Sequence, residues 1–379
     1  MQIVDTFVRT NFYFPSEYDI VQKAANCGRL DVLIELHAAE RLSQEHALSD
    51  NNYVMRCAAV NGQLAVCRWL HETFQITPAD VRSYGNVTLL RAAEVGHLAV
   101  CEWLHATYGL TADDARSTDN YALRNAAKNG RLTVCRWLHA TFGLTVDDAR
   151  AFDNHALREA AQKGRLDVCE WLHATFGLTA ADARTGDNEA LRMAAANGHL
   201  AVCQWLVATF GLTGADIRAV RNYAMCHAAR FGHLDVCKWL HASAAASAPA
   251  ARDETGRSGL RPRYREPPRQ LLMGHKYSDP YEVLAYGAAG GHLALCKWIH
   301  ATFKPRPNGM GRSELQSAMH VAAYGGYLPV CKWLHATFGF TRCTISGTMA
   351  RAAEAGHRDV CEWVHETFGI RRLRLRRER

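Results

Sequence analysis

The stretch that decides the fold is NYALRNAAKNGRLTVCRWLHATFGLTVDDARAFD, residues 120–153. The same pattern recurs along the chain, and one glycine marks each copy. Seven of these glycines are 34 residues apart, and three more copies follow after an insertion. Repetition at a fixed period is the signature of a stacked-repeat fold, so the sequence predicts ten repeats. The marker glycines of repeats 1 to 10 are Gly28, Gly62, Gly96, Gly130, Gly164, Gly198, Gly232, Gly291, Gly326 and Gly356.

Each copy is predicted to contain two helices. In the quoted copy a first helix is expected over about 121–129, with Asn120 as its N-cap. Gly130 suits the position after that helix, because glycine adopts a left-handed backbone at little cost. A second helix is expected over about 132–141. Helices of this length are marginal alone. The sequence therefore predicts an all-α solenoid in which each repeat is stabilised by its neighbours.

A third, very short helix is expected between consecutive helix pairs. Thr145 is followed three residues later by Asp148, which is the spacing of a capping box. In an earlier repeat Thr77 directly precedes Pro78, and proline favours the first helical position. We therefore expect a short capped helical turn at this point of each repeat.

The segment Gly96-His97-Leu98-Ala99-Val100 resembles the G-H-L-x-V segment of ankyrin repeats. The resemblance covers roughly residues 18–370, and the period is close to the ~33 residues of that family. Two features differ. Segments such as Tyr121-Ala122-Leu123-Arg124 replace the family's T-P-L-H, and a capped helical turn replaces its β-hairpin. Divergent arrays of this kind resemble those of large DNA viruses of amoebae. The resemblance implies an ankyrin-like fold, a protein partner and a host-directed adaptor.

The pattern Cys-x-Trp-Leu-His, Cys135 to His139 in the quoted copy, has the spacing of a metal or nucleophile site. On a helical wheel both side chains fall on the apolar face, which a reactive thiol would avoid. A structural zinc needs four ligands, and each helix offers two. The equivalent positions hold Val207 in repeat 6 and Leu33 in repeat 1, as a packing position tolerates. We expect no catalytic residue, metal or cofactor. A structural zinc protein stays the weakest alternative, and elemental analysis of the folded protein would test it.

A buried imidazole requires a hydrogen-bond partner. We therefore predict that His139 and its equivalents each bond a backbone group of the adjacent loop, forming a ladder along the stack. Val207 should leave a gap in that ladder.

Positions that differ between repeats are candidates for recognition. They lie five residues and one or two residues before the marker glycine, on the first helix, which lines the binding side of ankyrin-like arrays. Neutral variation at exposed positions would give the same pattern. The residues that we predict to contact a partner are Arg91, Asn125, Lys128, Glu159, Gln162, Met193, His227, Arg230, Tyr286 and Tyr324.

The residue after the motif cysteine alternates in charge through repeats 2 to 5. These residues are predicted to form ion pairs between repeats, each worth at most ~1 kcal/mol when exposed. They are Arg68, Glu102, Arg136 and Glu170.

The net charge of +7 belongs to two segments outside the repeats. Residues 242–282 carry +2 and hold five of the ten prolines, and the tail carries +5. We predict four parts: repeats 1–7 with an N-terminal cap, a basic Pro/Ala-rich flexible insertion, repeats 8–10 and an Arg-rich tail. Their bounds are 1–241, 242–278, 279–370 and 371–379. The insertion is either a binding loop or a tolerated insertion.

The tail suggests a rival function, a nuclear or nucleic-acid-associated protein, in which binding would weaken steeply with salt and require the tail. Nuclear import, anionic lipid and solubility would also use such a segment. No leader pattern or membrane-length apolar run is visible, and the cysteines suit a reducing compartment. We expect an intracellular, non-enzymatic, monomeric interaction scaffold, in the cytoplasm or the nucleus. The arginines of the tail are Arg371, Arg372, Arg374, Arg376, Arg377 and Arg379.

Overall fold

The computed structural model describes residues 3, 4, 6, 7, 17–246, 280–304 and 311–370. All regular structure in these residues is helical, and strands are absent from them. The chain divides into two compact units, Met1–Asp182 and Ala183–Arg379. Within the described part, no helix is both long and apolar enough to cross a membrane. The predicted all-α fold built from repeated helix pairs is confirmed.

Every repeat has a first and a second helix. The first helices are Glu17–Cys27, Gln44–Val60, Pro78–Val95, Ala112–Lys128, Val146–Gln162, Thr185–Ala196, Ala219–Arg230, Pro280–Ala289, Gly311–Tyr324 and Arg342–Glu354. The second helices are Leu30–Ala38, Leu64–Phe74, Leu98–Tyr108, Leu132–Phe142, Leu166–Phe176, Leu200–Phe210, Leu234–Ala246, Leu293–Phe303, Leu328–Phe338 and Arg358–Phe368. Two further short helices are separate elements, Ala180–Ala183 and Gly214–Ile217.

The marker glycine ends each first helix. Gly130 has φ 71°, in the left-handed region. Its backbone N–H donates to the carbonyl of Ala127, and the N–H of Arg131 donates to the carbonyl of Ala126, at 3.0 and 2.8 Å. These two bonds form a Schellman motif, which satisfies carbonyls that the helix end leaves free. The predicted role of this glycine is confirmed.

The predicted capped turn is confirmed, but the residues after it differ from expectation. Thr145 and Asp148 form a capping box, and the helix that begins there is interrupted at residues 151–154. In the preceding repeat the same interruption comprises one extended residue and three consecutive left-handed residues, ending at Asn120 with φ 57°. Asn120 is therefore not an N-cap, and its Oδ1 accepts no hydrogen bond among the described residues. The equivalent Asn52 shows what the side chain does, since its Nδ2 donates to the carbonyl of Asp80 in the next repeat at 2.9 Å.

An arginine braces this left-handed turn. Arg124 Nε and Nη2 donate to the carbonyls of Asp119 and Thr118, at 2.6 and 3.0 Å. The ring of Phe152 covers the Arg124 guanidinium, whose carbon lies 4.8 Å from the ring centroid. Left-handed backbone costs a non-glycine residue about 1 kcal/mol or more. The arginine that replaces the family's histidine in this segment therefore offsets a strain that the turn introduces.

The core lies between the helix layers. Val134, Cys135 and Leu138 of the second helix are fully buried, as are Ala126 and Ala127 of the first. The two alanines let the helices approach closely, because their side chains are small. Each buried Val or Leu contributes about 1.5–3 kcal/mol of transfer free energy, so the buried face of the second helix is the main source of stability.

The predicted histidine ladder is confirmed. His139 Nδ1 donates to the carbonyl of Leu144 at 3.0 Å, and five other repeats make the same bond. The ring also contacts the next repeat. The His105 ring meets the Phe142 ring edge to face, with centroids 5.2 Å apart. The Nδ1 atoms of His300 and His335 are exceptions and find no partner within the described residues.

Val207 removes one rung of the ladder, as predicted, and a second change accompanies it. In the other pairs that the structure describes, the histidine of one repeat contacts the aromatic residue at the end of the next repeat's second helix. This aromatic residue is a phenylalanine in each pair except one, in which it is Tyr108 of repeat 3. In repeat 7 that position holds Ala244. The imidazole and its aromatic partner are therefore lost together, which supports a packing role for both.

A second ladder joins the short capped turns. Arg116 Nε donates to Asp148 of the next repeat at 2.8 Å, and Nη2 donates to its other oxygen at 3.1 Å. The same pairs are Arg82–Asp114, Arg150–Asp182 and Arg184–Asp216. The Arg150 guanidinium lowers the pKa of Asp182 to about 2. Each aspartate also accepts from the threonine of its capping box, so one carboxylate caps a helix and links two repeats.

The ion pairs predicted after the motif cysteine are not formed. Arg68, Glu102, Arg136 and Glu170 are exposed on the second helices, and no salt bridge joins them within the described residues. The pairing between repeats is made by the aspartate and arginine of the short turn instead.

Repeats 7 and 8 stack directly although an insertion separates them in sequence. The His241 ring contacts the rings of Trp298 and Phe303, and His292 Nε2 donates to the carbonyl of Arg230 at 3.0 Å. The second helix of repeat 7 extends to Ala246, into the range predicted as flexible, because its last residues are mostly alanine, the best helix former. The insertion and tail bounds stay predictions, since residues 247–279 and 371–379 lie outside the described residues.

The histidine–phenylalanine contact can be tested by a double-mutant cycle of His105→Val and Phe142→Ala. Phe142→Ala should cost about 3–5 kcal/mol. The free energy of unfolding of the double variant should fall by about 0.5–1.5 kcal/mol less than the sum of the two single decreases, because both substitutions remove the same contact. Urea unfolding followed by circular dichroism measures this. Combining His105→Val with Phe176→Ala, which belongs to another pair, should be additive. Additivity in both cycles would contradict the ladder.

Acid should weaken the arginine–aspartate ladder. Folded Asp182 titrates near pH 2, below the ~3.9 of an unfolded aspartate, so its stabilisation exists above about pH 4 and is lost as pH falls toward 2. Arg150→Met should lower the free energy of unfolding by about 1 kcal/mol at pH 7, and this deficit should shrink toward zero near pH 2. Urea unfolding between pH 7 and pH 2.5 measures it. Arg136→Met is the control and should change little. A deficit independent of pH would refute the ladder.

Candidate functional site

The motif cysteines are not placed for chemistry. Cys135 is fully buried, and burial raises the pKa of its thiol to about 12. Burial likewise raises the pKa of Cys67, Cys101 and Cys203 to about 12. A thiol with such a pKa stays protonated at neutral pH, whereas the thiolate is the nucleophile and the metal ligand. These cysteines act as small apolar side chains in the interface between helices.

The motif histidines are used by the stack. In most repeats Nδ1 donates to a backbone carbonyl and the ring faces the aromatic side chains of the next repeat. Among the described residues, no group of three or more His, Cys, Asp or Glu side chains is arranged to hold a metal ion. The interaction candidates are therefore on the surface of the first helices.

In the first unit, the predicted surface residues are joined by ion pairs. Arg91 bonds both Glu94 and the Tyr121 hydroxyl, which in turn donates to Glu94 at 2.8 Å. Lys128 Nζ lies 2.8 Å from Glu159 Oε2 in the next repeat. The Asn125 side chain donates to the carbonyl of Tyr121, while Gln162 is half-buried. The structure thus brings Lys128 and Glu159 together, although they occupy different positions of adjacent repeats, two and five residues before the marker glycine.

In the second unit, the predicted residues belong to an aromatic surface. The centroid of the His227 ring lies 5.5 Å from that of Tyr286 in repeat 8. Arg230 is exposed, and Met193 is half-buried. Tyr324 is 54% exposed and lines an open cleft of about 440 Å³ in repeats 9 and 10. That cleft is also lined by Gln316, His320 and Arg351. The tail arginines from Arg371 to Arg379 lie outside the described residues.

One residue of this surface, Tyr223, was missed by the sequence reasoning, whereas Phe231 lies at a position that the sequence identified as variable. Tyr223 stacks on His227 with centroids 3.8 Å apart and an interplanar angle of 16°. Phe231, directly before a marker glycine, is 56% exposed. Both positions vary between repeats, and Phe231 is an aromatic where other repeats have Asn129 or Lys163. Variation at the position of Tyr223, which other repeats fill with His155 or Glu189, is the signal that would have found this residue.

Comparison with known proteins agrees with this geometry. Family models described as ankyrin repeats match residues 157–253, and also residues 123–173 and 284–335. No curated protein matches the sequence significantly. The matched segments contain the helix pairs, the left-handed glycines and the stacked second helices described above. Ankyrin repeats are in general protein–protein interaction modules. The chain is an ankyrin-repeat protein in which a capped helical turn and a left-handed turn precede the helix pairs of repeats 2 to 7.

Proposed function

We propose that this chain is a non-enzymatic intracellular scaffold that binds another protein through the exposed face of its first helices. One observation carries the proposal. Residues that recur in most repeats are buried or bonded to a neighbouring repeat, whereas the candidate recognition residues, which vary, are half-buried or exposed on the first helices. Their mixture of Arg, Lys, Glu, His and Tyr side chains suits contact with a protein partner.

The chemistry of the face suits protein recognition. Tyrosine and arginine, which are enriched where interfaces gain most of their binding energy, occur at Arg91, Arg230, Tyr286 and Tyr324. A helix face built on a packed stack is also pre-organised, which lowers the entropy cost of binding. The finer role of a host-directed adaptor is supported by the resemblance to viral arrays alone.

Crosslinking mass spectrometry in cells that express the chain tests this function. One variant carries Lys128→Ala, Arg230→Ala and Tyr324→Ala on the first helices. A matched control carries Arg68→Ala, Glu102→Ala and Arg136→Ala, which are exposed on the second helices. Crosslinks to partner proteins should be lost in the first variant and kept in the control. Crosslinks that survive in the first variant and vanish in the control would place binding on the opposite side and overturn the proposal.

A further inference from the structure

The first-helix surface of repeats 6 to 8 contains a cluster of aromatic and arginine side chains. Tyr223 and His227 are stacked, and His227 contacts Tyr286 and Phe231, with ring centroids 5.5 and 6.3 Å away. The Arg192 guanidinium lies over the Tyr223 ring at 4.9 Å. We call this set, together with Arg230, the aromatic–arginine cluster.

Part of the cluster has a structural role, and part does not. The contact of His227 with Tyr286 joins repeats 7 and 8, and that of Arg192 with Tyr223 joins repeats 6 and 7. Phe231 is 56% exposed and Arg230 is exposed, so packing explains neither side chain. An exposed phenylalanine beside an exposed arginine adds no buried area to the stack, and it resembles the composition of protein-binding hot spots.

The electrostatic field at the cluster is positive. The pKa of His227 is lowered, first by burial and then by Arg230 and Arg192. One carboxylate, Glu282, lies near Tyr286 and contributes to raising the pKa of that tyrosine. The positive charge of the cluster therefore comes from Arg192 and Arg230.

The first unit provides a contrast at two equivalent positions, since Arg230 stands where Lys128 does and Tyr286 stands where Glu159 does. Its cations are matched by carboxylates of the same surface, Arg91 by Glu94 and Lys128 by Glu159. Arg192 is the equivalent of Arg124 and likewise braces the left-handed turn of its repeat, because its guanidinium donates to the carbonyls of Asp187 and Gly186. Tyr286 thus replaces the carboxylate that pairs with Lys128 in the first unit, and it lies near Arg230 and the exposed ring of Phe231.

We propose that the aromatic–arginine cluster docks an acidic peptide segment of the partner that also carries an aromatic or large aliphatic side chain. The carboxylates pair with Arg230 and are attracted by the nearby charge of Arg192, and the apolar side chain packs on Phe231 and Tyr286. Arginine binds a carboxylate through parallel hydrogen bonds, and an aromatic floor excludes water from them. This inference rests on the proposed function and names the chemistry of its partner.

Panning a phage-displayed library of random peptides on the full-length chain tests the inference. Enriched peptides should combine Asp or Glu with Phe, Trp, Tyr or Leu. Arg192→Glu with Arg230→Glu should reduce enrichment of these peptides on the order of tenfold, which corresponds to about 1.4 kcal/mol. Phe231→Ser, an exposed change that leaves the core intact, should reduce the share of peptides with an aromatic residue.

Arg68→Glu with Arg136→Glu makes the same change in net charge on the second helices and serves as the control. Equal loss of acidic peptides in the control would show attraction by overall charge and would overturn the proposal. A library without acidic enrichment would overturn it as well. Circular dichroism and urea midpoints equal to those of the parent chain establish that each variant is folded. The crosslinking experiment on the whole face would still support or refute the proposed function separately.

Discussion

Burial of the second helix between its neighbours is the interaction on which the rest of the structure depends. A helix such as Leu132–Phe142 is too short to be stable alone. It becomes stable because Val134, Cys135 and Leu138 are removed from water by adjacent helices. Every repeat therefore presents nearly the same apolar face, and the thiol at its centre is selected for size rather than for reactivity.

Two polar ladders make this packing specific. The imidazole of a motif histidine satisfies a loop carbonyl of its own repeat and places its ring against the next one. The aspartate of the short turn caps its own helix and accepts from an arginine of the previous repeat. An apolar face alone would allow neighbouring repeats to slide, whereas these directional bonds fix their register. Recurring residues are thus committed to the stack, and recognition is left to residues that do not recur.

Much of this could be predicted from one sequence, because ten copies report which positions tolerate change. The period, the helix pair, the left-handed glycine and the capping box follow from local rules. The prediction that Asn120 is an N-cap was wrong. An N-cap residue has an extended backbone, whereas Asn120 is the last of three consecutive left-handed residues, a conformation that no local sequence rule predicts. The pairing of Arg116 with Asp148 was missed because the two residues are 32 positions apart in the sequence and come close only in the stack. The aromatic–arginine cluster required side-chain distances between repeats.

The central claim is that recurring residues fold the chain and varying residues do not. A saturation scan of residues 120–153 in the full-length chain, scored by resistance to protease, tests it most directly. Substitutions at Cys135, Leu138, His139 and Asp148 should abolish resistance or lower it strongly. Substitutions at Asn125 and Lys128 should leave it near the parent level. The account would be contradicted if polar residues were accepted at Cys135 and Leu138 while most changes at Asn125 and Lys128 unfolded the protein.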